Sequence, residues 1–125
     1  MIDIKKQIDY WFTGAEEDLE SAKILIESNR LLHGLFFCHL VIEKAIKANV
    51  VKVTGEIAPR SQNLLYLSEI ANLKFVEEDE IFLGILMKYQ LQGRYPDYNP
   101  LIPGKLKVEE YLIKTEKILS WLQMK

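Results

Sequence analysis

The chain has 125 residues, which suits one domain with a single core and leaves no room for a second. Its 16 basic and 18 acidic residues give a formal net charge of -2, so no overall positive field draws it to nucleic acid or to an anionic membrane. Any binding of a polyanion must therefore be local.

Cys38 is the only cysteine, which excludes an intrachain disulfide and a multi-cysteine metal site and indicates a reducing compartment. The amino terminus has mixed charges and no apolar run long enough for a signal peptide. The most apolar stretch, residues 31–42, is shorter than the roughly 18 residues that a membrane span requires. We therefore expect a cytoplasmic protein without a membrane partner.

Two long helices are predicted in the first half of the chain. The first, residues 3–28, has an acidic group on its outer side that we expect in solvent, and Asn29 is expected to end it. Its apolar face comprises Ile4, Ile8, Trp11, Ala15, Leu19, Ala22 and Ile26, and the acidic group comprises Glu16, Glu17, Asp18 and Glu20.

The second helix, residues 32–53, is predicted to be central and to end at Gly55, because apolar residues flank a seam of mostly small ones. The seam comprises Gly34, Cys38, Val41, Ala45 and Ala48, and the flanking residues are Phe36, Phe37, Leu40, Val50 and Val51.

Three further helices are predicted over residues 62–72, 76–91 and 106–123. Ser61 is the expected N-cap of the first of them, which is short. The 76–91 helix begins with four acidic residues, as suits the positive end of a helix dipole, and Gly93 marks its end. Its expected buried face is Ile81, Phe82, Ile85, Leu86 and Tyr89, and that of the last helix is Val108, Tyr111, Leu112, Thr115, Ile118, Leu119 and Leu122. The pattern predicts an all-α, up-and-down bundle of four main helices plus one short helix.

The second helix carries the first candidate chemistry. His33 and His39 are six residues apart and point to different sides, which argues against a zinc site. His39 could hydrogen bond to Glu43, although a structural histidine is the simpler interpretation. Lys44 and Lys47 lie on adjacent turns and form either a small phosphate-binding patch or, with Glu43, an ordinary ion pair on the solvated side of the helix.

The loop sequence GRYPDYN, between the last two helices, is the second candidate site. Arg94 could hold a phosphate through two hydrogen bonds, and Tyr95 or Tyr98 could stack on a base. Asp97 or Asn99 could orient a hydroxyl or a water. The alternative is a rigid turn whose tyrosines cover the core and whose arginine pairs with an acid.

Four segments together resemble the HEPN domain. They are W-x3-A-x2-DL-x2-A at residues 11–22, CHLVIEKAIKA at 38–48, SQNLLYL at 61–67 and GRYPDY at 93–98. They cover nearly the whole chain in the order that the family has them. The resemblance implies a homodimer, commonly encoded in prokaryotes beside a minimal nucleotidyltransferase as a toxin–antitoxin pair.

The resemblance also implies an RNA site without a metal or other cofactor. Many HEPN domains are endoribonucleases whose arginine is followed four to six residues later by histidine or asparagine, and both copies meet at the dimer interface. Arg94 and Asn99 match that spacing, but asparagine cannot act as a general acid or base near neutral pH as imidazole does. Gln62 stands where a related branch often has histidine.

Two functions follow as hypotheses. In the first, the protein is a binding component of a nucleotidyltransferase-associated system and presents Lys44, Lys47 and Arg94 to nucleotide or RNA phosphates. In the second, it is a ribonuclease toxin in which Arg94 polarises the scissile phosphate and Asn99 positions the attacking ribose hydroxyl.

Overall fold

Four long helices and one short helix make up the fold, in a computed structural model that describes residues 2–90 and 101–125. The helices are α1 (Ile4–Glu27), α2 (Leu31–Thr54), α3 (Leu64–Ile70), α4 (Glu77–Met87) and α5 (Lys105–Gln123). These described ranges contain no strand, and the predicted all-α architecture is confirmed. None of their helices is long and apolar enough to cross a membrane.

The four main helices alternate in direction, as predicted. Three pairs of packed helices are antiparallel, because the residue numbers of the contacting residues increase along one helix and decrease along the other. The three pairs are α1 with α2, α1 with α5 and α4 with α5. The contacting residues are, in that order, Trp11 with Lys47 and Ile26 with Gly34, Lys23 with Glu116 and Glu27 with Lys105, and Asp79 with Lys114 and Phe82 with Tyr111.

Helix α2 lies at the centre of the bundle and contacts each of the other four helices. Residues on every side of it are buried, including the consecutive Ala45 and Ile46. The prediction of a helix covered on more than one side is confirmed. Gly55 ends it in the left-handed conformation, with φ 70°, and its N–H donates to the Val51 carbonyl at 2.8 Å.

The short helix begins later than predicted. Asn63, not Ser61, is its N-cap, because the Asn63 side chain accepts from the N–H groups of Leu65 and Tyr66 at 3.1 and 3.0 Å. The Ser61 hydroxyl instead accepts from the N–H of Asn63 at 3.1 Å and so shapes the turn before the helix.

Helix α4 differs from the prediction in its end and in its buried face. It ends at Met87 instead of residue 91, since the N–H groups of Lys88 and Tyr89 bond to carbonyls three residues back and tighten the turn. Gly93, the predicted stop, lies outside the described residues. Ile81 is 59% exposed because Leu83 takes its place in the core.

Gly34 permits the close approach of α2 to α1 near their connection. A Cβ added there would overlap the Ile26 side chain. We expect Gly34→Ala to lower the free energy of unfolding by about 1–3 kcal/mol, as overpacking does, although alanine usually favours a helix over glycine by about 1 kcal/mol. Urea unfolding measures the change.

Gly84 provides the matched control, because a Cβ added to this other helical glycine meets nothing within 4 Å. Gly84→Ala, made in an Ile81→Glu background to suppress any self-association through α4, is expected to stabilise. If the two alanine substitutions shift stability in the same direction, the close approach at Gly34 is not a constraint.

Candidate functional site

A row of buried polar side chains lies on α2, where this helix packs against α1. At its centre, Glu43 Oε2 accepts from Lys47 Nζ at 3.0 Å, and the two side chains are only 9% and 8% exposed. The Lys47 ammonium also lies 5.2 Å from the centre of the Trp11 ring, within range of a cation–π interaction. The predicted ion pair therefore exists, but it is buried and does not lie on a solvated side.

Glu43 is a carboxylate in a site that disfavours its charge. Burial raises its pKa, and the hydrogen bond and charge of Lys47 act in the opposite direction. Lys47 is thus the main group that favours the charged form of Glu43 inside the bundle.

His39 continues the row one turn before Glu43. Its Nε2 lies 3.1 Å from the backbone carbonyl of Gln62, and its Nδ1 lies 3.5 Å from Glu43 Oε1. A carbonyl only accepts, so Nε2 must carry the proton and Nδ1 faces the carboxylate with a lone pair when the ring is neutral. Burial lowers the pKa of His39 to about 4, which keeps the ring neutral at physiological pH. The structural role predicted for His39 is confirmed, and its hydrogen bond goes to Gln62 instead of Glu43.

The Gln62 carbonyl joins the row to the end of α4. Besides His39, it accepts from the Gln90 side-chain amide at 3.3 Å. Gln90 is the last described residue before the candidate loop, and beyond that loop the Leu101 carbonyl accepts from the Tyr89 hydroxyl at 3.4 Å. The polar row therefore reaches the point in the chain where the candidate loop begins.

Lys44 forms a second ion pair between α2 and α1. Its Nζ lies 2.7 Å from Asp18 Oδ2, with side-chain exposures of 28% and 13%. Asp18 was predicted in solvent with its acidic neighbours, and that prediction is wrong for this residue because it borders the buried positions Ala15 and Leu19. Its place in the W-x3-A-x2-DL segment, between core residues, was the sequence feature that could have indicated its partial burial.

The predicted loop residues lie outside the described residues. These are Arg94, Tyr95, Asp97, Tyr98 and Asn99, and their roles stay predictions. Lys44 and Lys47 do lie close together, each beside its own acid, and of the two Lys44 is the more accessible. Sequence reasoning missed Gln90 and the Gln62 carbonyl, since a backbone acceptor carries no signal in the residue type.

Neither the lone cysteine nor the acidic residues suggest a further site. Cys38 is fully buried, and burial raises its pKa to about 11, so it packs as a small apolar residue. Within residues 2–90 and 101–125, no three His, Cys, Asp or Glu side chains are grouped so that they could hold a metal ion.

Comparison with known proteins identifies the family. The family model described as HEPN domain matches residues 8–125. The chain belongs to the HEPN family. No curated protein matches the chain.

Two crystal structures are similar in fold to this HEPN chain. TT1696 from Thermus thermophilus aligns with a TM-score of 0.76 and 23% identity, over 94% of this chain and 97% of that one. ST0689, described as an archaeal HEPN homologue, aligns with a TM-score of 0.64 and 21% identity, over 93% of this chain and 94% of that one. At such identities the likeness shows the fold alone.

The segments that resemble HEPN proteins have a clear structural meaning in this chain. Most of the members that the structure describes are core residues of α1 and α2 or belong to the polar row and the two ion pairs. The core members include Ala15, Leu19, Ala22, Val41, Ala45 and Ala48, and the polar members are Asp18, His39, Glu43, Lys44 and Lys47. In the described part of the chain, the HEPN pattern therefore specifies how two helices pack around buried charges.

Proposed function

We propose that this HEPN protein is a homodimer that binds phosphate groups of RNA or nucleotides through Arg94 and Lys44 and acts together with a nucleotidyltransferase. Tyr95, Asp97, Tyr98 and Asn99 would complete the ligand contacts in the same loop. The binding function is preferred to catalysis, because Asn99 cannot exchange protons near neutral pH.

The observation that supports one shared site is the continuity of the polar row. Contacts run from Lys47 through Glu43 and His39 to Gln62 and Gln90. Arg94 follows Gln90 by four residues, and four residues of fully extended chain span at most about 14 Å. This short separation along the chain is why we propose that Arg94 acts beside the row.

The two lysines differ in what they can offer a ligand. Lys44 is the more accessible of the two, with 28% of its side chain exposed, so it can turn from Asp18 toward a phosphate in solvent. Lys47 is held by Glu43 inside the bundle, where withdrawal would leave a buried carboxylate without its cation. In our proposal Lys44 contacts phosphate, and Lys47 does not contact the ligand but stabilises Glu43 in the buried polar row.

Removal of the Arg94 guanidinium tests the binding function. We expect Arg94→Ala to weaken the binding of single-stranded RNA or ATP roughly 10- to 150-fold, the loss that corresponds to a charged hydrogen bond of about 1.5–3 kcal/mol. Arg94→Lys should restore it only in part, because a lysine lacks the planar pair of donors. Fluorescence anisotropy at fixed salt measures both ligands.

Arg60 is the matched control, since it is an exposed arginine in another loop and its removal changes net charge equally. If Arg94→Ala and Arg60→Ala weaken binding equally, Arg94 is not a specific ligand. RNA cleavage by the wild type that Asn99→Ala abolishes would instead favour the ribonuclease. Growth arrest on expression of this chain alone, relieved by a neighbouring nucleotidyltransferase, would point the same way.

The exposed face of α4 is the surface that we propose for the homodimer. Ile81, the half-buried Ile85 and Lys88 follow one another at helical spacing on its outer side, and acidic residues occupy its first turn. If two copies pack antiparallel about a two-fold axis, the isoleucines of their α4 helices meet between them.

A charge placed on this face should separate the two copies. We expect Ile81→Glu to convert the dimer to a monomer in sedimentation velocity, because a carboxylate would be buried at the two-fold axis. Ile24→Glu is the matched control on α1, as Ile24 is 61% exposed and Ile81 is 59% exposed. A wild type that stays monomeric at all concentrations would contradict the dimer, and a dimeric Ile81→Glu variant would contradict this interface.

A further inference from the structure

One backbone carbonyl connects three parts of the chain. Gln62 lies two residues before α3, and its carbonyl accepts from His39 Nε2 of α2 at 3.1 Å and from Gln90 Nε2, beyond α4, at 3.3 Å. A carbonyl oxygen has two lone pairs, so it can accept both bonds at once. The start of α3 and the end of α4 are thus tied to the central helix at a single atom.

We infer that His39 is a positioning residue, which fixes the Gln62 carbonyl and through it the chain at Gln90, from which the segment with Arg94 begins. Its functional consequence rests on the proposed binding function. The link itself concerns described residues only and can be measured without a ligand.

His39 is suited to this task because its ring has little freedom. The side chain is 1% exposed on the helix that contacts all the others, so it cannot swing away from the carbonyl. On its other edge, Nδ1 faces Glu43 Oε1 at 3.5 Å, and Glu43 is in turn held by Lys47. A hydrogen bond to the Gln62 carbonyl requires the proton on Nε2, because a carbonyl only accepts, and in that tautomer Nδ1 carries a lone pair.

Gln90 lies just beyond the carboxyl end of a helix. Helix α4 ends at Met87, and Lys88 and Tyr89 follow in a tight turn whose N–H groups bond to Ile85 and Leu86 at 3.1 and 3.0 Å. A short helix end of this kind opens readily unless something beyond it is held. The buried Tyr89, whose hydroxyl donates to the Leu101 carbonyl, holds this end, and the bond from Gln90 to the Gln62 carbonyl holds it at a second point.

Two substitutions of similar size separate donation from packing. Glutamine at position 39 can place an amide N–H where Nε2 stands, whereas leucine fills the space without a donor. We expect His39→Leu to speed hydrogen exchange of the Lys88 and Tyr89 amides at least tenfold relative to amides of α1 and α5, as measured by NMR. His39→Gln should keep most of the protection.

The RNA affinity of the same two variants tests the functional consequence. RNA affinity should fall in His39→Leu by a similar factor to the loss in Arg94→Ala and should be largely retained in His39→Gln. Exchange that is unchanged at Lys88 and Tyr89 in His39→Leu would overturn the inference, whether or not the protein binds RNA. Faster exchange with unchanged RNA affinity would also overturn it, since the position of Gln90 would then not matter to the site.

A third variant serves if His39→Leu does not fold. Gln90→Met removes the second donor to the same carbonyl from a half-buried position and leaves α2 intact. It should reproduce the faster exchange at Lys88 and Tyr89, and wild-type rates there would overturn the inference. A wild type that binds neither RNA nor ATP refutes the proposed function. The exchange rates at Lys88 and Tyr89 would still show whether His39 positions Gln90 through the Gln62 carbonyl.

Discussion

We expect Lys47→Ala to lower the free energy of unfolding by about 3–5 kcal/mol, the cost of breaking a buried ion pair by removing one partner. Glu43 would keep a carboxylate that is 9% exposed and would lose the ammonium at 3.0 Å. Chemical denaturation at pH 7 measures the change. Lys44→Ala is the matched control, and its loss should be smaller because 28% of the Lys44 side chain is exposed, against 8% for Lys47.

A double substitution shows whether the loss comes from the charge or from the packing. In Lys47→Met with Glu43→Leu, both charges are replaced by apolar groups, and stability should return close to that of the wild type. A Lys47→Ala variant that is no less stable than Lys44→Ala would contradict the buried pair. A double variant as unstable as the single one would show that shape, not charge, sets the cost.

Acid should destabilise the protein through His39. Burial lowers its pKa to about 4, whereas the unfolded chain binds the proton near 6.5. The stability contributed by the neutral ring is therefore complete above pH 6.5 and is lost as the pH falls toward 4. At about 1.4 kcal/mol for each pH unit of this window, the loss amounts to about 3 kcal/mol. Urea unfolding at intervals between pH 4 and 7 measures it.

Glu43 changes the stability in the opposite direction to His39 over part of this pH range. Its pKa is raised, so the folded state holds this proton more tightly and stability falls as the pH rises above 4.5. His39→Gln isolates the histidine because Glu43 remains in both proteins. The acid loss should be much smaller in His39→Gln, and an unchanged loss would assign the acid sensitivity to other groups.

The fold could be predicted from the sequence because the signals were local. Helical spacing, as in Ala15, Leu19 and Ala22 of α1, depends only on residues within a few turns. The same holds for the helix stop at Gly55, which needs a left-handed residue there. The predicted face of α4 was wrong at Ile81, because Ile81 and Leu83 are equally apolar. Only the packing of the whole bundle decides which of them enters the core.

The candidate site was less predictable for a physical reason. The i to i+4 spacing of Glu43 and Lys47 predicts an ion pair but not its burial, which depends on where α1 crosses α2. Likewise, nothing in the residue type shows that the carbonyl of Gln62 will receive both His39 and Gln90. Contacts between distant segments emerge only when the helices are placed together.

The central claim is that Arg94 and Lys44 serve one phosphate-binding site beside the buried polar row. Its most direct test is an NMR titration of the wild-type protein with a short single-stranded RNA. Because Gln90 ends the row and Lys44 follows Glu43 on α2, we predict that the largest chemical-shift changes occur at Arg94, Lys44 and Gln90, and that they vanish in Arg94→Ala. Shifts confined to α5, for example at Lys107 and Lys117, would contradict it.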